Sequence, residues 1–163
     1  MNNSLYIVWS DDLNLGINII DEQHRGLVSL INSFYYHIQM GASMVTMQST
    51  LKTIEDYAKI HFATEEAVMA GLGFEGLDAH RISHDNLLLK TQQLLSSVKT
   101  DQDVYGVMPF LRRWWMDHIV KEDREFVDLI GNMSSDVFVE NYKQQMQVMA
   151  QAEIQANEQS ALH

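Results

Sequence analysis

The chain has 163 residues, 46% of them apolar, with 22 acidic side chains against 11 basic ones and a formal net charge of −11. That length suits a single domain with a sizeable core, and the acidic balance argues against binding to nucleic acid or to an anionic membrane surface. There is no cysteine, which excludes a disulfide framework, thiolate metal sites and iron–sulfur clusters of the usual type. The opening MNNSLYIVWS has neither the basic region nor the apolar core of a signal peptide. No run of about 18 apolar residues occurs, so no membrane span is expected and the cytoplasm is the expected location.

One proline, a modest count of eight glycines and the lack of short, evenly spaced strand signals point to a helical protein. Residues 1–15 read as irregular, with Trp9 and Leu13 as anchors. A first helix is predicted from about Ile17–Asp21 to Met40, on the stripe Leu27, Leu30, Ile31, Phe34 and Ile38, and Gly41 stops it. A second is predicted from about Ser43 to Ala70, through Met47, Leu51, Ile54, Tyr57, Ala58, His61 and Met69, ending in the glycine-rich segment 71–76. The third covers Leu77 to Lys99, through Leu87, Leu88, Leu94, Leu95 and Val98. Thr100–Asp103 read as a loop and cap. The fourth runs from about Val104 to Ile130, through Phe110, Leu111, Trp114, Trp115, Ile119, Phe126 and Leu129, with Pro109 near its start, where proline is best tolerated. A fifth helix is expected after Ser134-Ser135, on the stripe Val139, Tyr142, Met146 and Met149. The expected fold is therefore all-α: an up-down-up-down four-helix bundle over residues 1–132 with a C-terminal helical extension over 133–163.

Seven residues at four places along the chain have spacings that suit a two-metal site: His24; His61 with Glu65; His80 with His84; His118 with Asp123. The chain has seven histidines, and five belong to this set. Imidazole and carboxylate are ligands for first-row transition metals. Five imidazoles and two carboxylates are too many for one tetrahedral zinc and suit two irons that share bridges, although ligand type alone leaves manganese open. The i, i+4 pairs His61/Glu65 and His80/His84 each share a helix face. His118 and Asp123 are five apart, about 140° on an ideal helix, so either the aspartate reaches in from the flank or the helix widens locally into a π-bulge. His37, about 220° round the helix from His24, and the terminal His163 are expected at the surface. The ten methionines read as core filler.

The segments Gly16-Ile17-Asn18-Ile19-Ile20-Asp21-Glu22-Gln23-His24, His61-Phe62-Ala63-Thr64-Glu65, His80-Arg81-Ile82-Ser83-His84 and Trp114-Trp115-Met116-Asp117-His118-Ile119-Val120-Lys121-Glu122-Asp123, with Trp9 ahead of them, resemble the hemerythrin family, its bacterial branch in particular. The resemblance covers about residues 5–131 and matches all seven positions. It implies a cofactor of two non-heme irons bridged by an oxo or hydroxo group. One iron would take His80, His84 and His118 and the other His24 and His61, with Glu65 and Asp123 bridging. The second iron would keep an open position for O2. By the same resemblance Leu27, Phe62, Trp114 and Ile119 line the O2 pocket, which has to be apolar to keep out water and protons.

Ligating histidines usually donate their second N–H to a nearby acceptor, and Asp21, Glu22, Glu66 and Asp117 lie close to them in sequence. Carboxylate-rich di-iron oxidases of the ferritin type carry facing Glu-x-x-His motifs, which this chain lacks. A set rich in neutral imidazole stabilises high-valent iron less, and so favours reversible binding over oxygen cleavage. The expected function is reversible O2 binding for storage, delivery or sensing, without enzymatic turnover. The alternatives are an O2- or NO-responsive signalling module acting on a protein partner, or on a second copy, through residues 133–163, and a di-iron peroxidase or nitric oxide reductase.

Overall fold

The computed structural model describes residues 6–130, together with Gln147 and Gln151. The expected helix through Val139, Tyr142, Met146 and Met149 lies outside the described residues, as does the side chain of Leu129. Four long helices pack in a ring, up-down-up-down: α1 (Asn18–Gln39), α2 (Met44–Gly71), α3 (Leu77–Ser97) and α4 (Asp101–Asp117). α1 packs on α2 and α4, and α3 packs on the same two. After α4 comes a π-helical turn, His118–Glu122, and then α5 (Asp123–Ile130), which carries the fourth helix onward. Among the described residues no helix is long and apolar enough to cross a membrane.

The helix ends explain the short connections. α1 closes with a Schellman motif: Gly41 takes φ +61°, its N–H donates to Ile38 O (3.2 Å), and the Ala42 N–H donates to His37 O (2.9 Å). α2 closes the same way at Gly73, with the Phe74 N–H on Met69 O. Ser43 caps α2 by accepting from the Thr46 N–H. Thr100 and Asp103 form a reciprocal capping box, which corrects one sequence expectation: Asp101–Asp103 are the first turn of α4 and not a loop. It follows that Pro109 sits in the interior of α4 and not near its start. There it costs the carbonyl of Tyr105 its intrahelical partner; Pro109 itself is exposed.

The main core runs along the bundle axis, through Leu27, Ile31, Phe34, Leu51, Ile54, Val104, Met108, Leu111, Trp115 and Ile119 among others. A smaller cluster of Leu15, Ile17, Ile20, Val68, Met69 and Phe126 closes the end of the bundle below the histidines. The segment 6–17 crosses this end and climbs α1. Asn32 pins it by bonding both the N–H and the carbonyl of Ile7. Asp21 pins it by accepting from the N–H groups of Leu15 (2.6 Å) and Gly16 (3.0 Å). Trp9, one of the two expected anchors, packs half-buried against the core, and Leu13 is buried.

Candidate metal centre

All seven residues named from the sequence converge inside the bundle. His24 comes from α1, His61 and Glu65 from α2, His80 and His84 from α3, His118 from the π turn and Asp123 from the start of α5. Five of them are wholly buried, His84 nearly so, and His80 is 8% exposed. The π turn spans the residues between His118 and Asp123. The extra residue in that turn rotates Asp123 onto the face of His118, and both then point at the same space. Of the two routes that the five-residue spacing left open, this is the widened helix.

Their donor atoms form two overlapping groups, Glu65–His80–His84–His118 and His24–His61–Glu65–Asp123, with atoms in each group within 4.8 Å of one another. Glu65 Oε2 lies 3.2 Å from His84 Nε2, 3.3 Å from His80 Nε2, 3.7 Å from His118 Nε2 and 3.8 Å from His61 Nε2. Asp123 divides its oxygens: Oδ1 is 3.3 Å from His118 Nε2 and 3.6 Å from His80 Nε2, while Oδ2 is 3.3 Å from His24 Nε2. These separations are those of ligands around a shared cation. Donors about 2.1 Å from a first-row ion and at right angles to each other stand about 3 Å apart.

Buried polar atoms ordinarily find partners. Here His24 Nε2, His61 Nε2, His84 Nε2, His118 Nε2, Glu65 Oε1 and both oxygens of Asp123 are buried with no hydrogen bond. A concentration of orphaned donors and acceptors on one small volume is costly for a protein alone, and a bound cation satisfies all of them at once. The residues present therefore fit a metal centre.

The electrostatics are those of a charged cavity. Burial holds His24 down to about 4, Glu65 and Asp21 opposing and His118 assisting, and burial likewise drives His61 well below its usual value. Burial also works against the charged form of His118, but the Asp123 carboxylate, the hydrogen bond to Glu122 and Glu65 overcome it and raise the ring to about 10. Burial and the facing Glu65 push Asp123 well above the carboxylate range. Glu65 stays well below that range despite its burial, because the rings of His118, His80 and His84 crowd its carboxylate.

Behind the donors lies a set of outward contacts. His84 Nδ1 donates to Glu66 Oε1 (2.7 Å), and Arg81 Nε donates to the other oxygen of Glu66 (3.3 Å). His118 Nδ1 donates to Glu122 Oε2 (3.4 Å), which also accepts from Ser83 Oγ (2.6 Å). His61 Nδ1 donates to Gln23 Oε1 (3.3 Å), and the Gln23 amide donates to Thr64 Oγ1 (3.0 Å). Of the four acids near ligands in sequence, only Glu66 has this role. Asp21 serves the chain segment ahead of α1, Glu22 pairs with Arg25 and Asp117 with Lys121. Sequence reading missed Gln23 and Glu122, although each is adjacent in sequence to a ligand position.

The four pocket candidates, Leu27, Phe62, Trp114 and Ile119, are all buried in the main core. Phe62 stacks on His84 at 3.8 Å between ring centroids and meets His118 edge-on. Trp115, which sequence reading placed only in the core stripe, is wholly buried and stands edge-to-face against both His24 (5.4 Å) and His61 (5.7 Å). His37 lies away from the centre, with Nδ1 on Thr50 Oγ1.

The fold and the site together define a four-helix bundle with a histidine- and carboxylate-lined metal centre in its interior. The hemerythrin HHE cation binding domain matches residues 15–130, and the chain belongs to the hemerythrin family. It is 30% identical over 133 residues to a bacteriohemerythrin of Pseudomonas paraeruginosa, covering 81% of this chain and 86% of that protein. A bacteriohemerythrin of Clostridium acetobutylicum is 31% identical over 130 residues, 74% of this chain and 98% of its own. A hemerythrin-like protein of Naegleria gruberi is 28% identical over 118 residues, 72% and 88% of the two chains.

Proposed function

We propose that the chain binds O2 reversibly at a pair of non-heme irons, as a carrier, store or sensor and not as an enzyme. In this reading His80, His84 and His118 hold one iron, His24 and His61 hold the other, and Glu65 and Asp123 are shared between them. The observation that carries it is the unequal division of imidazoles about Glu65, which is common to both donor groups, and Asp123, whose two oxygens face the two halves: one half has three imidazoles and the other two. The half with fewer imidazoles has room for an exogenous ligand. When bound, the iron pair supplies two electrons to O2 and takes them back on release.

The chain's own residues do the rest. Glu65 and Asp123 bring two negative charges to a place where two dications are to be held. The Nδ1 contacts to Glu66, Glu122 and Gln23 fix the tautomer of three rings, so that Nε2 faces inward. Leu27, Phe62, Ile119 and Trp114, with Trp115 against His24 and His61, keep water from the open side and slow irreversible oxidation. Residues 1–132 form the oxygen-binding unit and 133–163 are an extension from it.

The test is the visible spectrum of iron-loaded protein, reduced without air and then mixed with O2. A new charge-transfer band that fades when O2 is withdrawn and returns when it is readmitted supports the reading. Immediate conversion to a ferric form with no reversible band, or sustained turnover of peroxide or nitric oxide, overturns it.

A further inference from the structure

The outward hydrogen bonds divide the centre by chemistry as well as by number. On the three-histidine side, two rings are backed by carboxylates. Glu66 faces His84 and is itself held by Arg81, and Glu122 faces His118 and is held by Ser83. On the two-histidine side, among the described residues, no carboxylate accepts a hydrogen bond from Nδ1 of either ring. His61 meets the neutral amide oxygen of Gln23, and His24 Nδ1 is buried without a partner among the described residues. His24 is instead packed by aromatic rings, Trp115 edge-on and Trp9 at 6.4 Å.

A carboxylate accepting Nδ1–H makes Nε2 a stronger donor and holds the ring in its ligating orientation. A neutral amide does this less, and an unpartnered ring gains neither effect. We infer that Glu66 and Glu122 are positioning residues that make the His80–His84–His118 half the tight, first-filled metal subsite, and that Gln23 leaves the His24–His61 half the weak, last-filled one. This inference rests on the two-metal reading above. It gives the centre an order of assembly and a built-in preference for losing the metal on the side where the ligand enters. The two carboxylates sit at the edge of the bundle, with Glu66 24% and Glu122 38% exposed, so an isosteric amide at either place leaves the interior packing intact.

The experiment is an anaerobic titration of the metal-free full-length chain with Co2+, followed by its visible absorption. Two cobalt ions are expected to bind in two resolved steps, the first at least tenfold tighter. His24→Ala removes the second step and so assigns it. Glu66→Gln and Glu122→Gln each weaken the first step by about 10- to 100-fold, shift the spectrum of the first-bound ion and leave the second step in place. Gln23→Glu tightens the second step, a gain that damaged folding cannot produce. Two cobalt ions bound with both steps unchanged in the two glutamine variants, or weakened equally, would overturn the inference while leaving the two-metal reading standing. A wild-type chain that binds only one cobalt ion would overturn both.

Discussion

Helices α1 and α3 are nearly equal in length, at 22 and 21 residues, yet they are held in the bundle by different forces. α1 buries Ile20, Leu27, Val28, Ile31, Phe34 and Ile38 besides Asp21 and His24. The buried residues of α3 are His80, His84 and Thr91, none of them apolar; its leucines 87, 88, 94 and 95 are only half-buried. Each fully buried large apolar side chain contributes on the order of 1.5–3 kcal/mol, so α1 is seated by the core whether or not metal is bound. α3 sets only partly buried leucines against that core. Its deepest contacts are two imidazoles aimed at Glu65, and its seat depends on the centre. One helix builds the bundle, and the other is seated on it chiefly by the imidazoles it sends to the centre.

The largest effect expected is at the apolar helix. Phe34→Ala, at a wholly buried position, should cost about 3–5 kcal/mol in urea unfolding, by a similar amount with and without metal. A loss confined to the metal-loaded protein would erase the contrast with α3.

The next effect is that of the metal itself. At a free-metal concentration about a hundredfold above its Kd, binding should add about 2.7 kcal/mol of stability. His84→Ala should remove most of that increment, and should cost the metal-free protein only the packing of the ring on Phe62 and its hydrogen bond to Glu66. In hydrogen exchange, amides of α3 should gain protection on metal binding far more than those of α1. Equal protection of both helices in the metal-free state would break the comparison.

The pH response sharpens it further. The folded value of His24 is depressed to about 4, so between its ordinary value near 6.5 and 4 the unfolded chain binds more protons than the folded one. The metal-free protein therefore loses stability as pH falls through that window. His118 is raised to about 10, and its contribution is present in full below about 6.5 and fades as pH rises towards 10. Unfolding midpoints of the metal-free chain should thus peak near pH 6.5. His118 has to give up its proton to become a ligand, so metal binding at neutral pH should release protons, seen by calorimetry in buffers of different ionisation heat.

The smallest effect is at a helix end remote from the centre. Thr100→Ala breaks the capping box of α4 and should cost about 1 kcal/mol, equally with and without metal.

Much of this was legible in the sequence, because the signals were local. The 3–4 spacing of apolar residues placed the four helices, and Gly41 and the glycine-rich segment 71–76 marked the ends of α1 and α2. The five-residue gap between His118 and Asp123 was at odds with an ideal helix, and that conflict itself pointed to the π turn. The sequence places the start of α4 too late, at Val104, because the loop and cap read over Thr100–Asp103 do not show that the cap is Thr100; with Thr100 as the cap, Asp101–Asp103 become the first turn and Pro109 falls inside the helix. The contact between Gln23 and His61 joins residues 38 apart in sequence, and no periodicity announces it. Glu122 lies an ordinary i, i+4 step from His118, and Trp115 was indistinguishable from Trp114 until the rotation of α4 was fixed. Long-range side-chain pairs of this kind are decided by packing, which a single sequence does not display.

The central claim is that the seven residues hold two irons as one coupled unit. Mössbauer spectroscopy of the chain loaded with 57Fe and oxidised tests it most directly. The account predicts two irons per chain, coupled through the shared carboxylates Glu65 and Asp123 into a diamagnetic ground state. One iron per chain, or ferric ions with the magnetically split spectrum of isolated centres, would contradict it.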